Sequence, residues 1–355
     1  MPSLFDPIKV GALTLPNRIM MAPLTRTRAV EDSRVPTPLA AEYYSQRASA
    51  GLLIAEATSV DPMGVGYPNT PGIWSDEQTE GWKPIVQAVH MKGGRIFLQL
   101  WHVGRISDPY FLDGRQPVSA SAIAAQGDVS LLRPKRPMGI PRALETGEVP
   151  HVIAAFKLGA QNAKRAGFDG VEIHGANGYL IDQFLQDGSN KRADKWGGSR
   201  ENRARLMLEI ADACCEVWGP DRVAMHLAPR GDSHTMGDSD LNATFLYVAK
   251  ELGRRKLAFL CAREYQAPNS IGPRLREAFD GPYVVNEGFT KESAAAALTS
   301  ISADAVAFGK LYISNPDLVE RFRSNAPLNE WNAKTFYTPG PAGYTDYPTM
   351  EAVAA

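Results

Sequence analysis

Between Phe168 and Phe184 the chain reads Phe-Asp-Gly-Val-Glu-Ile-His-Gly-Ala-Asn-Gly-Tyr-Leu-Ile-Asp-Gln-Phe, and three hydrogen-bonding side chains, His174, Asn177 and Tyr179, fall within six positions. His174 and Asn177 can both donate to one substrate oxygen. The phenol of Tyr179, with an ordinary pKa of about 10, is suited to protonating a carbanion or enolate. The plainer alternative is that all three are strand-end residues satisfying backbone groups of a loop.

Chemistry of this kind needs a rigid platform. Asp169 and Gly170 punctuate the chain, and Val171 to Ile173 form a short β-branched run typical of a buried strand. Similar runs recur at Ile19 to Ala22, Leu52 to Ala57, Ile96 to Leu100, Val223 to Leu227, Leu257 to Ala262, Tyr283 to Val285 and Ala305 to Phe308, making eight. Between them lie stretches of helical periodicity: Leu39 to Ser49, Thr79 to Met91, Val149 to Ala166, Ser199 to Trp218, Asp240 to Arg255, Pro273 to Phe279, Lys291 to Leu298 and Asp317 to Ser324. Eight βα units with no composition shift between them predict a single α/β domain over residues 1–355, a closed (β/α)8 TIM barrel. Ile8 to Leu15 alternates around Gly11-Ala12 and predicts an N-terminal hairpin. The Pro-, Gly- and Arg-rich stretch of about 101–148 reads as a long loop insertion after the third strand, on the face where barrels keep their active sites.

In a barrel the residues after each strand converge on one rim. Here that rim collects Pro23-Leu24-Thr25, Ala57, Gln99 and Trp101, the opening cluster, His226, Asn286 with Gly288, and Gly309-Lys310. It holds neutral hydrogen bonders with aromatic walls. It shows no carboxylate pair spaced for glycoside cleavage, no His-x-x-x-His metal pair and no Gly-x-Ser-x-Gly elbow. Gly288 and Gly309-Lys310 follow the seventh and eighth strands, where barrels often seat a phosphate; the alternative is turn glycines beside a solvated lysine. Such a rim suits an organic cofactor that carries the difficult chemistry, without saying which one.

Composition narrows the partners. With 38 Lys plus Arg against 39 Asp plus Glu the net charge is −1, so no basic field exists to hold nucleic acid or an anionic membrane. Three cysteines make neither a disulfide framework nor a zinc set, and read as buried, reduced thiols. No basic start precedes an apolar core at the N-terminus, and no apolar run approaches a membrane span, which together predict a cytoplasmic protein acting on a small molecule.

The chain resembles the old yellow enzyme family of FMN-dependent ene-reductases. The likeness runs through Ala22-Pro23-Leu24-Thr25-Arg26, Glu42-Tyr43-Tyr44, Pro71-Gly72-Ile73-Trp74-Ser75, Gln99-Leu100-Trp101-His102, the opening stretch, Asp194-Lys195-Trp196-Gly197-Gly198-Ser199, Asn315-Pro316-Asp317-Leu318 and Gly343-Tyr344-Thr345-Asp346-Tyr347-Pro348. The resemblance implies FMN at the rim, reduced by NADPH or NADH and reoxidised by an activated alkene such as an α,β-unsaturated carbonyl or nitro compound. It assigns Thr25 to a flavin carbonyl, Gln99 to the pyrimidine edge, and Pro23, Leu24 and Ala57 to the ring. It further implies that His174 and Asn177 grip the substrate oxygen while hydride passes from flavin N5 to the β-carbon and Tyr179 protonates the α-carbon. Tyr67, Trp101 and Tyr344 match positions that wall the substrate pocket, and the C-terminal tail, about 330–355, is expected to pack near them. The family is expected as monomer or homodimer. Nitrate-ester or nitroaromatic reduction, a flavin-binding sensor with little turnover, and a flavin-free phosphosugar barrel are the competing readings.

Three positions depart from the family pattern. His226 stands where the fifth strand usually presents Arg to the flavin, Lys310 where Arg usually follows Gly, and Glu287 where a small residue is usual. Lysine remains a cation but lacks the bidentate fork. An imidazole changes charge in the physiological range where a guanidinium does not, so flavin reduction or retention is expected to weaken as pH rises, unless Arg230 reaches in to replace the charge.

Overall fold

The computed structural model describes residues 2–231, 233–300 and 302–350. Eight parallel strands close into a barrel: Ile19–Met21, Leu52–Ser59, Ile96–Trp101, Gly170–His174, Val223–Leu227, Phe259–Arg263, Tyr283–Asn286 and Ala305–Phe308. Each lies on one of the eight apolar runs read from the sequence. The last strand pairs with the first through Val306 and Ile19, which closes the circle.

Alternation along the strands sorts their side chains into two layers. Met20, Ile54, Phe97, Ala224, Phe259, Cys261, Val284 and Ala305 pack together inside the barrel. Their neighbours Met21, Leu53, Leu98, Ile173, Met225, Leu260 and Val306 pack in the larger core beneath the helices. The hairpin Ile8–Val10 with Leu13–Leu15 is antiparallel, as expected. Its Val10, Leu13 and Leu15 join the inner layer and so stopper one end of the barrel.

Helix bounds follow local chemistry. Val149–Ala166 stops at Gly167, whose φ of 93° suits glycine. Arg200–Trp218 starts behind Ser199, whose side chain accepts from the Asn202 N–H, and stops at Gly219. Two short helices, Leu180–Leu185 and Lys310–Ser314, were not expected. All six residues of Leu180–Leu185 are buried, so no polar face marks its period. The insertion after the third strand carries a two-stranded parallel pairing, Val118–Ser119 with Arg142–Ala143. Among the described residues no helix is long and apolar enough to cross a membrane.

The C-terminal tail is strapped back onto the loop after the first strand. Arg26 donates to the carbonyls of Phe336 and Gly343, Thr27 to Tyr337, and Arg28 to Thr335, Phe336, Gly340 and Ala342. Residues 351–355 of the expected tail segment, and Met1 of the expected domain, lie outside the described residues.

Candidate active site

The fourth strand ends in a sharp turn. Asn177 and Gly178 take φ of 59° and 76°, a left-handed pair that Asn and Gly tolerate best. A Cβ on Gly178 would lie 2.8 Å from both Met236 Cγ and the Ser233 carbonyl oxygen. Asp182 accepts the Gly178 N–H at 2.8 Å, and the Gln183 amide donates to the carbonyls of Gly178 and Val103 at 2.7 and 3.0 Å. The turn is therefore fixed from below. His174 comes off the strand, and Tyr179 heads the buried helix.

Two of the three candidate groups have their polarity set by neighbours. The Ala176 N–H donates to His174 Nδ1 at 3.4 Å, which leaves the proton of a neutral ring on Nε2. Burial first, then His226, Arg263 and His234, hold the His174 pKa well below the ordinary value, so the ring is neutral. Arg263 Nη1 donates to Asn177 Oδ1 at 3.0 Å, which leaves the Nδ2 hydrogens of Asn177 available. The Tyr179 hydroxyl lies 2.8 Å from that of Tyr67, and burial, then Tyr67, raises the Tyr179 pKa well above 10. His234, from the loop after the fifth strand, backs the cluster, its Nδ1 2.7 Å from the Asn177 carbonyl.

The rings of Tyr67 and Trp101 lie beside this group. Trp101 meets Tyr179 edge-on at 5.0 Å, stacks beside His174 at 6.3 Å and lies 5.4 Å from Tyr67. Tyr344 corrects the sequence reading. Its ring stacks on Tyr43 at 4.1 Å, with the guanidinium carbons of Arg26 and Arg28 at 5.0 and 4.4 Å from its centroid. Cations and an aromatic partner capture it in the tail strap, and it takes no part in the wall. His102 also turns aside, into a separate cavity of about 500 Å³ lined by Asp61, Met63, Arg115 and Arg142.

Below the cluster, Gln99 Nε2 donates to Glu172 Oε1 at 2.8 Å and approaches His226 Nδ1 at 3.2 Å. One oxygen, nitrogen and sulfur atom of Glu172, His226 and Cys261 lie within 4.8 Å of one another. The Gln99 amide already bridges two of those three residues, so the trio reads as a hydrogen-bond network. His226 Nε2 is buried and has no partner, and its ring stacks under His174 at 5.7 Å. A buried donor without an acceptor is costly, so this atom marks a place for a polar edge of a ligand.

The remaining cofactor candidates lie on neighbouring strand ends. The second strand shifts register between Ala55 and Thr58, a bulge that contains Ala57, and pairs again through Thr58 and Ser59. Pro23, Leu24 and Thr25 follow the first strand and are half-buried. A Cβ on Gly309 would meet Leu24 at 3.3 Å. Lys310 is exposed, its ammonium 5.0 Å from the Trp331 ring centroid. Asn286 spends its amide on the Ala307 carbonyl at 2.6 Å, which fixes the chain just before Gly288.

Arg263 brings a cation to the mouth, and the sequence reading missed it. Arg230 points elsewhere: it holds Glu264 at 2.5 Å, Asn269 at 2.5 Å and the Tyr265 carbonyl. Arg263 ends the sixth strand, pairs with Glu287 and touches Asn177. Period-two spacing from Phe259 and Cys261 was the available signal. Tyr337, in the tail, raises the pKa of both Tyr67 and Tyr179, which places it at the same rim.

The model of the NADH:flavin oxidoreductase / NADH oxidase family matches residues 3–329. 12-Oxophytodienoate reductase 2 of Arabidopsis thaliana is 44% identical over 370 residues, spanning 99% of this chain and 96% of the relative. 12-Oxophytodienoate reductase 1 of Oryza sativa subsp. japonica is 42% identical over 369 residues, spanning 99% and 94%. Among solved structures, the old yellow enzyme homologue from Zymomonas mobilis superposes with a TM-score of 0.95 at 47% identity, covering 98% of this chain and 99% of that one. Morphinone reductase in complex with tetrahydroNAD gives 0.95 at 49% identity, covering 99% and 98%.

Proposed function

Because this chain belongs to the NADH:flavin oxidoreductase / NADH oxidase family and is an FMN-dependent NAD(P)H ene-reductase of activated alkenes, we propose that its fourth βα junction carries the substrate chemistry. His174, Asn177 and Tyr179 then have the roles of two oxygen grips and one acid. The observation that carries this reading is that neighbours leave His174 Nε2–H and Asn177 Nδ2–H as neutral donors on the same turn that bears the protonated Tyr179 hydroxyl.

The residues present fit FMN. His226 Nε2 is an unpartnered buried donor for a pyrimidine edge, and Gln99 lies against the same ring. Thr25 and Ala57 would border the isoalloxazine with Pro23 and Leu24, while Asn286 sets the approach of the chain to Gly288. Gly288, Gly309 and the exposed cation of Lys310 would take the phosphate. When bound, FMN accepts hydride from NAD(P)H and supplies it to the alkene.

The protein's own part is polarisation and protonation. Two donors aimed at one substrate oxygen stabilise the negative charge that builds there as the β-carbon gains hydride. Their neutrality matters: a neutral imidazole donates a hydrogen bond without being a strong acid that would itself hand over a proton in place of Tyr179. Tyr179, kept protonated by burial, gives its proton to the α-carbon. Hydride and proton together saturate the double bond, and the phenolate left behind faces the Tyr67 hydroxyl. Tyr67 and Trp101 shape the space above.

The relatives' names carry an oxo or a ketone ending, and we take unsaturated ketones as the substrate class. We further read the protein as a cytoplasmic monomer or homodimer, a setting that suits its free thiols Cys214, Cys215 and Cys261. The test is direct: purified protein should be yellow and should consume NADPH with cyclohexenone or maleimide. A colourless protein that does not take up FMN would sink the reading.

A further inference from the structure

Arg263 is placed by simple periodicity. Phe259 and Cys261 point into the barrel, so the next residue of that register projects inward at the mouth. There its guanidinium is divided between two partners. Nε engages Glu287, and Nη1 donates to Asn177 Oδ1 at 3.0 Å. A guanidinium has only donors, so it accepts no alternative orientation of the Asn177 amide. The carboxamide must turn its oxygen towards Arg263 and its nitrogen away.

Glu287 is an unusual anchor. It sits at φ 100°, next to Gly288 at 73°, in a region that residues with side chains seldom occupy. From that backbone its carboxylate reaches the Arg263 guanidinium. The carboxylate also balances the guanidinium, so the pair orients Asn177 while adding little net charge to the mouth.

We propose that Arg263 is a positioning residue, anchored by Glu287, that fixes which face of Asn177 meets the substrate. It rests on the reading of Asn177 as a grip on the substrate oxygen. Without Arg263 the amide can rotate and present its carbonyl oxygen, which repels the substrate oxygen and removes one of the two donors. Arg263 thus acts through Asn177 and touches no reacting atom.

A double-mutant cycle on the FMN-loaded enzyme tests this, using stopped-flow reoxidation by cyclohexenone, with FMN content checked by absorbance. Asn177→Ala and Arg263→Met should each lower the second-order rate constant of reoxidation by about tenfold, and the double variant should be no worse than Asn177→Ala alone. Arg263→Lys, which keeps the charge but cannot serve both partners, should lose turnover with FMN content unchanged. Multiplying losses in the double variant, or an Arg263→Lys enzyme with native rates, would overturn the proposal. An Asn177→Ala enzyme with native rates would overturn the oxygen-grip reading itself, and this one with it.

Discussion

Replacing Tyr179 by Phe separates the chemistry from the scaffold. The substitution deletes one oxygen whose contact is the 2.8 Å hydrogen bond to Tyr67. The ring keeps its edge contacts with Trp101 and His174, each at 5.0 Å. Loss of one neutral hydrogen bond costs about 0.5–1.5 kcal/mol. With an unfolding entropy of about 2.1 cal/mol/K per residue, a chain of 355 residues shifts its Tm by about 1–2 °C per kcal/mol. Loss of a positioned general acid instead slows the step by about 10²–10⁴-fold, or about 2.7–5.4 kcal/mol of barrier. Stability and turnover should therefore part company. Stopped-flow absorbance of the flavin reads the two half-reactions separately. Bleaching by NADPH should stay within about threefold of native, since no carbon is protonated in that half. Reoxidation by cyclohexenone should fall by two orders of magnitude or more. A Tyr179→Phe enzyme that reoxidises within fivefold of native would show that the proton comes from elsewhere.

Tyr67→Phe should slow reoxidation by about tenfold, because the Tyr179 phenolate loses the hydroxyl that faces it; an unchanged rate would limit Tyr67 to walling the pocket. Lys310→Ala should raise the FMN dissociation constant by about tenfold or more, read by quenching of flavin fluorescence on titration. An unaltered constant would move the phosphate away from the eighth strand. Burial pushes the Glu56 carboxyl up to about 7. Its folded pKa lies above the unfolded one, so the contribution present at low pH is lost as pH rises from about 4.5 through about 7. Glu56→Gln escapes that loss, and its stability relative to native should improve by about 2–3 kcal/mol between pH 5 and pH 8 in urea unfolding. A pH-independent difference would place the titration elsewhere.

The strands and most helices were legible because their periods are local. Val149–Ala166 has in the structure the bounds read from its periodicity, since Pro150 at its start and Gly167 at its end are unambiguous signals. Leu180–Leu185 left no such trace, being buried all round. The candidate site could be proposed from sequence where one segment carries it, at His174, Asn177 and Tyr179. Arg263 escaped because the apolar run stops at Ala262, one residue short of the strand's end. Glu287 stood out as a departure, but its meaning depends on Arg263, which lies 24 positions away and shows no periodic link to it. Tyr344 was assigned by likeness of position, yet its surroundings are decided by Tyr43, Arg26 and Arg28, from the opposite end of the chain.

The straps from Arg26, Thr27 and Arg28 join residues about 310 positions apart, so the rim near Tyr67 and Tyr179 draws on segments that lie before the second strand and after the eighth. During translation the eight strands can emerge and pair while Tyr337 is still inside the ribosome. A nascent chain halted at that stage would own a barrel with an unfinished doorway, and competence for turnover would wait until the strap has docked.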